Sequence, residues 1–170
     1  VSYAEGQNQQ MRAYYESLGN NVINIQASSW DSKGVSDKLY DYCLELDDYV
    51  LGVTPVVQMY SQTTIKYGAK TVDNYNSSWE ESPQVVMGNQ DFSLCNNFQL
   101  AKGRDISYLD IENYNQVCVL GSKMADMLFN YMDPIGQRIT INGIPFEVVG
   151  VYQEKDPNNM TGMDRYIVLP

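Results

Sequence analysis

The sequence contains no histidine. That removes the commonest general base and the commonest metal ligand together, so neither a Ser-His-Asp nor a Cys-His constellation can be assembled. Cysteine is scarce, with three residues at Cys43, Cys95 and Cys118. None stands in Cys-x-x-Cys spacing, three cannot all pair, and zinc would need all of them plus a carboxylate. Each falls in a predicted helix or strand, where it reads as a small buried hydrophobe, and no disulfide framework is expected. Neither a Walker A loop nor Gly-x-Gly-x-x-Gly occurs, so the sequence offers no phosphate-binding loop for nucleotide hydrolysis. No apolar run approaches the ~18 to 20 residues of a bilayer-spanning helix, and no basic stretch followed by an apolar one marks a signal peptide. The chain alone is therefore expected to be soluble. Positive charge is in short supply: 11 Lys and Arg against 21 Asp and Glu give a net charge of −10, with a pI near 4.3. Phosphate backbones and anionic lipid both need clustered Lys and Arg, so nucleic acid is not an expected partner.

What is present describes a folded domain. The 170 residues, 44% of them hydrophobic, can bury a substantial core as one domain or two small lobes. Fourteen tyrosines against four phenylalanines give aromatic residues that keep a polar tip for surfaces and edges. Residues 2–18 are helix-permissive, with Met11, Tyr14, Tyr15 and Leu18 at helical spacing and Gly19 as a stop. Val22–Ile25 reads as the first strand. Ser36 can cap a helix to about Asp47 with Leu39, Tyr42, Cys43 and Leu46 on one stripe. Val50–Val53 and Val56–Tyr60 read as strands bent at Thr54-Pro55.

From Thr63 the pattern turns mainly β. Ile65–Tyr67 and Thr71–Tyr75 suggest a hairpin about Gly68-Ala69-Lys70, and Gln84–Met87 is a further strand. Asp91 is placed to cap a short helix, Phe92–Asn96. The run from Val117 to Val151 is the most informative. Gln116–Leu120 is a short apolar strand, Gly121-Ser122 a break and hydroxyl cap, and Ala125, Leu128 and Phe129 share a helical face. Asp133-Pro134 should stop that helix, and Gly136 permits the reversal. Arg138–Ile141 and Ile144–Val151 flank Asn142-Gly143, the dipeptide that most readily takes a two-residue type I′ turn. Residues 153–164 have the composition of an exposed loop, and Tyr166–Leu169 is a last strand.

This order of elements resembles the MacB-like periplasmic core domain, the extracytoplasmic part of permeases in the MacB, FtsX and LolC/LolE class of ABC transporters. Leu100-Ala-Lys-Gly-Arg104, followed after a spacer by Asp110, is similar to the family's Gly-Arg element. It precedes the Val-x-Val-Leu-Gly strand, the Leu-Phe helix, Pro-x-Gly and the Phe-x-Val-Val-Gly-Val strand. Tyr15–Ile25 is similar to the family's entry, where a helix leaving the first transmembrane segment ends at Leu18-Gly19. The resemblance implies an α+β fold of two small lobes. Residues 1–60 would be the first half of a split βαβ-type membrane-proximal lobe, its second half expected to be absent beyond Pro170, and residues 61–170 an inserted β-rich lobe with short helices. It implies membrane segments before Val1 and after Pro170, at the extracytoplasmic face of a bacterial membrane. It further implies a non-catalytic role that transmits cytoplasmic ATP hydrolysis to a substrate outside. The implied partners are a cognate ABC ATPase, a second permease copy, and an extracytoplasmic adaptor or a peptide or lipoprotein substrate. No cofactor is implied.

Few residues offer chemistry of their own. Asp47-Asp48 and Glu80-Glu81 are paired carboxylates, but glycosidase-type work needs two across a cleft about 5 to 9 Å apart, and adjacency reads first as solvated surface charge. Asp156, Asn158, Gly162 and Asp164 could offer oxygen to calcium, yet the spacing misses the EF-hand template and lacks its terminal Glu. Among the aromatic residues Tyr14, Tyr15, Trp30 and Trp79, the last sits in the polar loop Asn76–Pro83 and is the candidate partner contact. A secreted peptide- or carbohydrate-binding module is the alternative reading, and a hydrolase relying on carboxylates alone the third.

Overall fold

A computed structural model describes residues 22–26 and 35–170. The elements, numbered within them, are helix α1 (Val35–Leu44), strands β1 (Val57–Gln58), β2 (Thr64–Tyr67), β3 (Lys70–Asp73) and β4 (Gln84–Met87), and helix α2 (Phe92–Cys95). Strand β5 (Leu100–Gly103), helix α3 (Tyr108–Glu112), β6 (Val117–Leu120), α4 (Ser122–Phe129), β7 (Arg138–Ile141), β8 (Ile144–Tyr152), a 3-10 turn (Met163–Arg165) and β9 (Tyr166–Leu169) follow. The fold is mixed α+β. Two compact units divide it: the described residues up to Val53 with Asp91–Asn97, and Thr54–Gln90 with Phe98–Pro170.

In the first unit α1 ends at Leu44 and continues only as turns, short of the Asp47 that the spacing suggested. Residues 22–26 are not the expected strand: they have no regular structure, and Ile23 is 86% exposed. Val50–Val53 form no strand either. An apolar run becomes a strand only where a neighbour pairs with it, which the run itself does not encode. Asp91 stands at the N-cap of α2, and its carboxylate accepts the Val53 N–H at 3.2 Å. The helix expected over residues 2–18, with Tyr14 and Tyr15, and the loop with Trp30 lie outside the described residues.

The second unit is organised by one mixed sheet of order β1-β4-β9-β6-β8-β7-β2-β3, with β5 added to β8. Pairings β4·β9 and β6·β8 are parallel and the others antiparallel. The long β8 serves three partners: β7 along residues 144–147, β5 along 150–152, and β6 on its other edge. All four residues of β6 are buried, as suits a central strand covered on both faces. The Asn142-Gly143 turn has φ of 50° and 85°, the double positive φ of type I′, and Asn142 is stitched to the neighbouring strand by Thr64 N–H at 2.8 Å. On one face α4 buries Met124, Ala125, Leu128 and Phe129. Phe129 meets the Tyr67 ring at a centroid distance of 4.2 Å, and Lys70 Nζ donates to the Met127 carbonyl at 3.3 Å, neutralising the helix's C-terminal dipole. Two sequence expectations move here. The helix stops at Asn130, with φ 53°, before Asp133-Pro134 is reached, and its N-cap is Gly121 rather than Ser122.

Because β9 runs parallel to β4 and antiparallel to β6, the loops entering β4 and β9 lie at one end of the sheet, and α3, which enters β6, lies at the other.

Candidate functional site

Two polar clusters stand out in the second unit. The first is made by the Gly-Arg element. Gly103 and Gly150 face each other across β5 and β8, and a Cβ on either would collide with a backbone carbonyl, of Val149 or Arg104 respectively. This close approach presents Arg104 to Asp110 in α3. Asp110 is buried and gathers five donations: Arg104 Nη1 at 2.6 Å, Ser107 N–H at 2.9 Å and Ser107 Oγ at 2.6 Å on Oδ2, with Arg104 Nη2 and Asn115 Nδ2 at 3.0 Å on Oδ1. Ser107 and Asp110 form a reciprocal capping box that starts α3. The Arg104 guanidinium, aided by the Ser107 and Asn115 donors, holds the Asp110 carboxyl well below the usual carboxylate range despite burial. A carboxylate so saturated is a structural rivet, with no lone pair left for a proton to be moved.

The second cluster lies at the opposite end of the sheet, in the loop that reads from composition as exposed. Asp164 accepts the N–H groups of Lys155 at 2.8 Å and Asp156 at 2.7 Å. Asp156 in turn accepts Thr161 N–H, Thr161 Oγ1 at 2.7 Å and Gly162 N–H at 3.1 Å. Burial raises the Asp156 carboxyl, and the donors from Thr161, Met160 and Gly162 outweigh it and lower it overall. The structure thus brings together Asp156, Gly162 and Asp164, but turns the carboxylates toward backbone amides instead of outward to a cation, while Asn158 is left exposed. Among the described residues no group of three or more Cys, Asp or Glu could hold a metal ion.

Arg165 completes this cluster and is fully buried. Its guanidinium donates to the carbonyls of Trp79 and Ser82, the latter at 2.7 Å, while Nε reaches Asn159 Oδ1 at 3.1 Å. It stacks 4.8 Å from the Trp79 ring centroid. Burial lowers the Arg165 pKa, and the charges of Asp156 and Glu80 work against that shift. Asn159 Nδ2 adds a bond to the Glu80 carbonyl at 3.2 Å, so two loops without regular structure are locked together. Trp79 itself is 62% exposed. Sequence reading singled out Trp79 but missed Arg165, since nothing in the composition of Met163-Asp-Arg165 signals burial.

The remaining candidates stay apart. Asp47 and Asp48 are both exposed, as are Glu80 and Glu81. The three cysteines are free thiols; Cys118 is buried as expected, and burial pushes its thiol up and out of reach of ionisation, while Cys43 and Cys95 are only half-buried. No helix among the described residues is long and apolar enough to cross a membrane.

Comparison with known proteins gives this architecture a family. The MacB-like periplasmic core domain family matches residues 1–170. The macrolide export ATP-binding/permease protein MacB of Haemophilus ducreyi is 27% identical over all of this chain and 23% of its own length. The ABC transporter permease YvrN of Bacillus subtilis is 28% identical over 92% of this chain and 39% of its own length. The pyoverdine export ATP-binding/permease protein PvdT of Pseudomonas syringae pv. syringae is 29% identical over 91% of this chain and 22% of its own length. The chain thus spans well under half the length of each. In fold, it superposes on the periplasmic region of MacB from Actinobacillus actinomycetemcomitans with a TM-score of 0.64 and 20% identity, over 92% of this chain and 67% of that one. The extracellular domain of the transporter YknZ from Gram-positive bacteria gives a TM-score of 0.53 at 21% identity, over 68% and 52%. With a family match over its full length and a mixed sheet superposing on the MacB periplasmic region, this chain belongs to the MacB-like periplasmic core domain family.

Proposed function

We propose that the chain is the non-catalytic extracytoplasmic domain of a MacB-like ABC transporter permease, coupling cytoplasmic ATP hydrolysis to movement or export of a substrate outside the membrane. The family match over residues 1–170 carries this reading. The buried polar groups support it: Asp110, Asp156, Asp164 and Arg165 are taken up in fixing loops and helix ends, which suits a part that must move as a body. Partner proteins follow from the same reading. An ATPase supplied as a fused domain or a separate subunit, a second permease copy, and an adaptor or a peptide or lipoprotein substrate would meet this domain or the permease that carries it.

We assign residues 1–60 to a membrane-proximal lobe and residues 61–170 to an inserted β-rich lobe, a boundary that differs from that of the compact units, which divide after Val53 and place Asp91–Asn97 with the first. The starting end of β1, the finishing end of β4 and the finishing end of β9 lie together, with Gly88 N–H bonded to the Leu169 carbonyl at 3.0 Å. A chain continuing past Pro170 would leave the sheet beside the strands that connect to the first unit, as an inserted lobe requires. The segment before Val1 would then be the rigid link to the membrane, and a nucleotide-dependent change must travel through it. A flexible Gly-Ser insertion before Val1 in the full-length permease is expected to leave ATP hydrolysis running while transport per ATP collapses. Normal transport per ATP in a correctly assembled insertion variant would refute the coupling role.

A further inference from the structure

The exposed Trp79 and the buried Arg165 beneath it form a combination that scaffold alone does not require. A loop with no helix or strand of its own would ordinarily let a surface tryptophan sample many positions. Here the backbone on both sides of the ring, at Trp79 and Ser82, is tied to a single buried guanidinium, and the same guanidinium lies against the ring's inner face. The second loop is fastened to the first through Asn159, and it carries Met160, 67% exposed, beside the one that carries Trp79. Two large apolar side chains are therefore displayed on a preordered frame, which lowers the entropy lost when a partner covers them. Tryptophan at such a position is the side chain that most often dominates a protein interface. Glu80 and Glu81 follow directly in sequence, both exposed, on a chain whose net charge is −10.

We propose that Trp79, with Met160 exposed on the loop bonded to its own and Glu80 and Glu81 following it in sequence, is the anchor of a docking surface for a basic, apolar-containing segment of an extracytoplasmic partner protein. The assignment rests on the reading of this domain as one that acts on proteins outside the membrane. Charge complementarity selects the occupant: acidic residues adjoining an apolar anchor favour Lys- or Arg-bearing sequence and repel acidic sequence.

The 170-residue chain can be titrated by NMR, following the Trp79 indole N–H resonance, assigned by its loss in Trp79→Phe. The probes are a twelve-residue peptide of Lys, Ile and Ser, its counterpart with Glu in place of Lys, and chitotetraose. Saturable binding of the Lys peptide with a shift of the Trp79 resonance is expected, and none with the Glu peptide. Calorimetry should show affinity falling at least about tenfold in Trp79→Ala, the loss usual for an interface anchor. The Glu80→Gln/Glu81→Gln variant should bind at least about fivefold more weakly, whereas Glu112→Gln, at the other end of the sheet, should change affinity by less than about twofold. Trp79→Phe, which keeps a ring over Arg165, should retain most of the binding and guards against a mere folding defect. An equal loss in Glu112→Gln would reduce the effect to attraction between a polycation and an acidic surface, and overturn the proposal. Unchanged affinity in Trp79→Ala, absence of a Trp79 shift with the Lys peptide, or a shift with chitotetraose alone would do the same. None of these outcomes bears on coupling to ATP, which the linker insertion tests separately.

Discussion

Replacing Asp110 by Asn changes one atom type and almost no volume, yet it should be among the most damaging substitutions in the second unit. The carboxylate accepts five hydrogen bonds, and its side chain is only 2% exposed. An amide has one oxygen, so its NH2 must face either Arg104 Nη1 and Ser107 N–H or Arg104 Nη2. Asn115 and the Ser107 hydroxyl can turn to accept; the guanidinium and the backbone N–H cannot. One donor-to-donor contact, at about 1–3 kcal/mol, adds to a lost charge-assisted pair of about 1.5–3 kcal/mol. Arg104 is 51% exposed and recovers part of its hydration by swinging outward, so the net cost should be about 2–3 kcal/mol. For a chain of this size that lowers Tm by about 4–12 °C. The pH dependence supplies an independent check. The folded pKa of Asp110 is depressed, so its contribution is fully present above the unfolded value near 3.9 and is lost as pH falls from there through the folded value. The stability gap between wild type and Asp110→Asn, measured by urea denaturation, should be constant from pH 7 to about 5 and shrink by up to ~1.4 kcal/mol per pH unit below about 3.9. A variant within about 0.5 kcal/mol of wild type at pH 7, below the cost of one unmade buried bond, would refute the reasoning. So would a gap that ignores pH.

Two further outcomes follow from the same structure. Gly143→Val should cost on the order of 1 kcal/mol or more in urea denaturation, since φ is 85° while no atom lies within 4 Å of the added Cβ, so the penalty is conformational and not steric crowding; an unchanged midpoint would contradict the turn assignment. The purified chain should neither turn over ATP above a buffer control nor retain stoichiometric zinc by elemental analysis, given the missing phosphate loop and histidine.

How legible each part was depends on how local its cause is. The Asn142-Gly143 hairpin and β4 were readable because a turn dipeptide and a short apolar run state their conformation within a few residues. The buried face of α4 was readable from periodicity, while its end was not, because Asn130 adopts a positive φ that few residues other than Gly, Asn and Asp tolerate, and Pro134 was the louder signal. Val22–Ile25 misled for the opposite reason, as its β-branched composition states a preference but no pairing partner. The loop from Gln153 to Asp164 misled most. Its Asp, Asn, Pro and Gly content does indicate turns, but Asp156 and Asp164 are buried because the loop folds back so that its own amides reach their carboxylates, and Arg165 is held by carbonyls of another segment, Trp79 lying 86 positions away.

The residues that carry the family resemblance share a physical role, and that role explains why they reveal the fold sooner than a ligand. Gly103 and Gly150 are the positions where β5 and β8 approach too closely for a Cβ, and Gly121 is the corresponding position where β6 turns into α4 against the Asp164 backbone. Arg104 and Asp110 then lock the segment that leaves β5. Each fixes the angle between one element and the next. Asp110, Asp156 and Asp164 are likewise filled by donors from their own chain, which fix loops and helix ends. A part that transmits force has no substrate atom to polarise; what it needs is that displacement at one end not be absorbed by loose loops on the way to the other. The clusters at the two ends of this sheet, Arg104–Asp110 and Arg165–Trp79, would meet that need under the coupling role proposed above, and each lies beside exposed aromatic side chains, Tyr108 and Tyr114 at the first and Trp79 at the second.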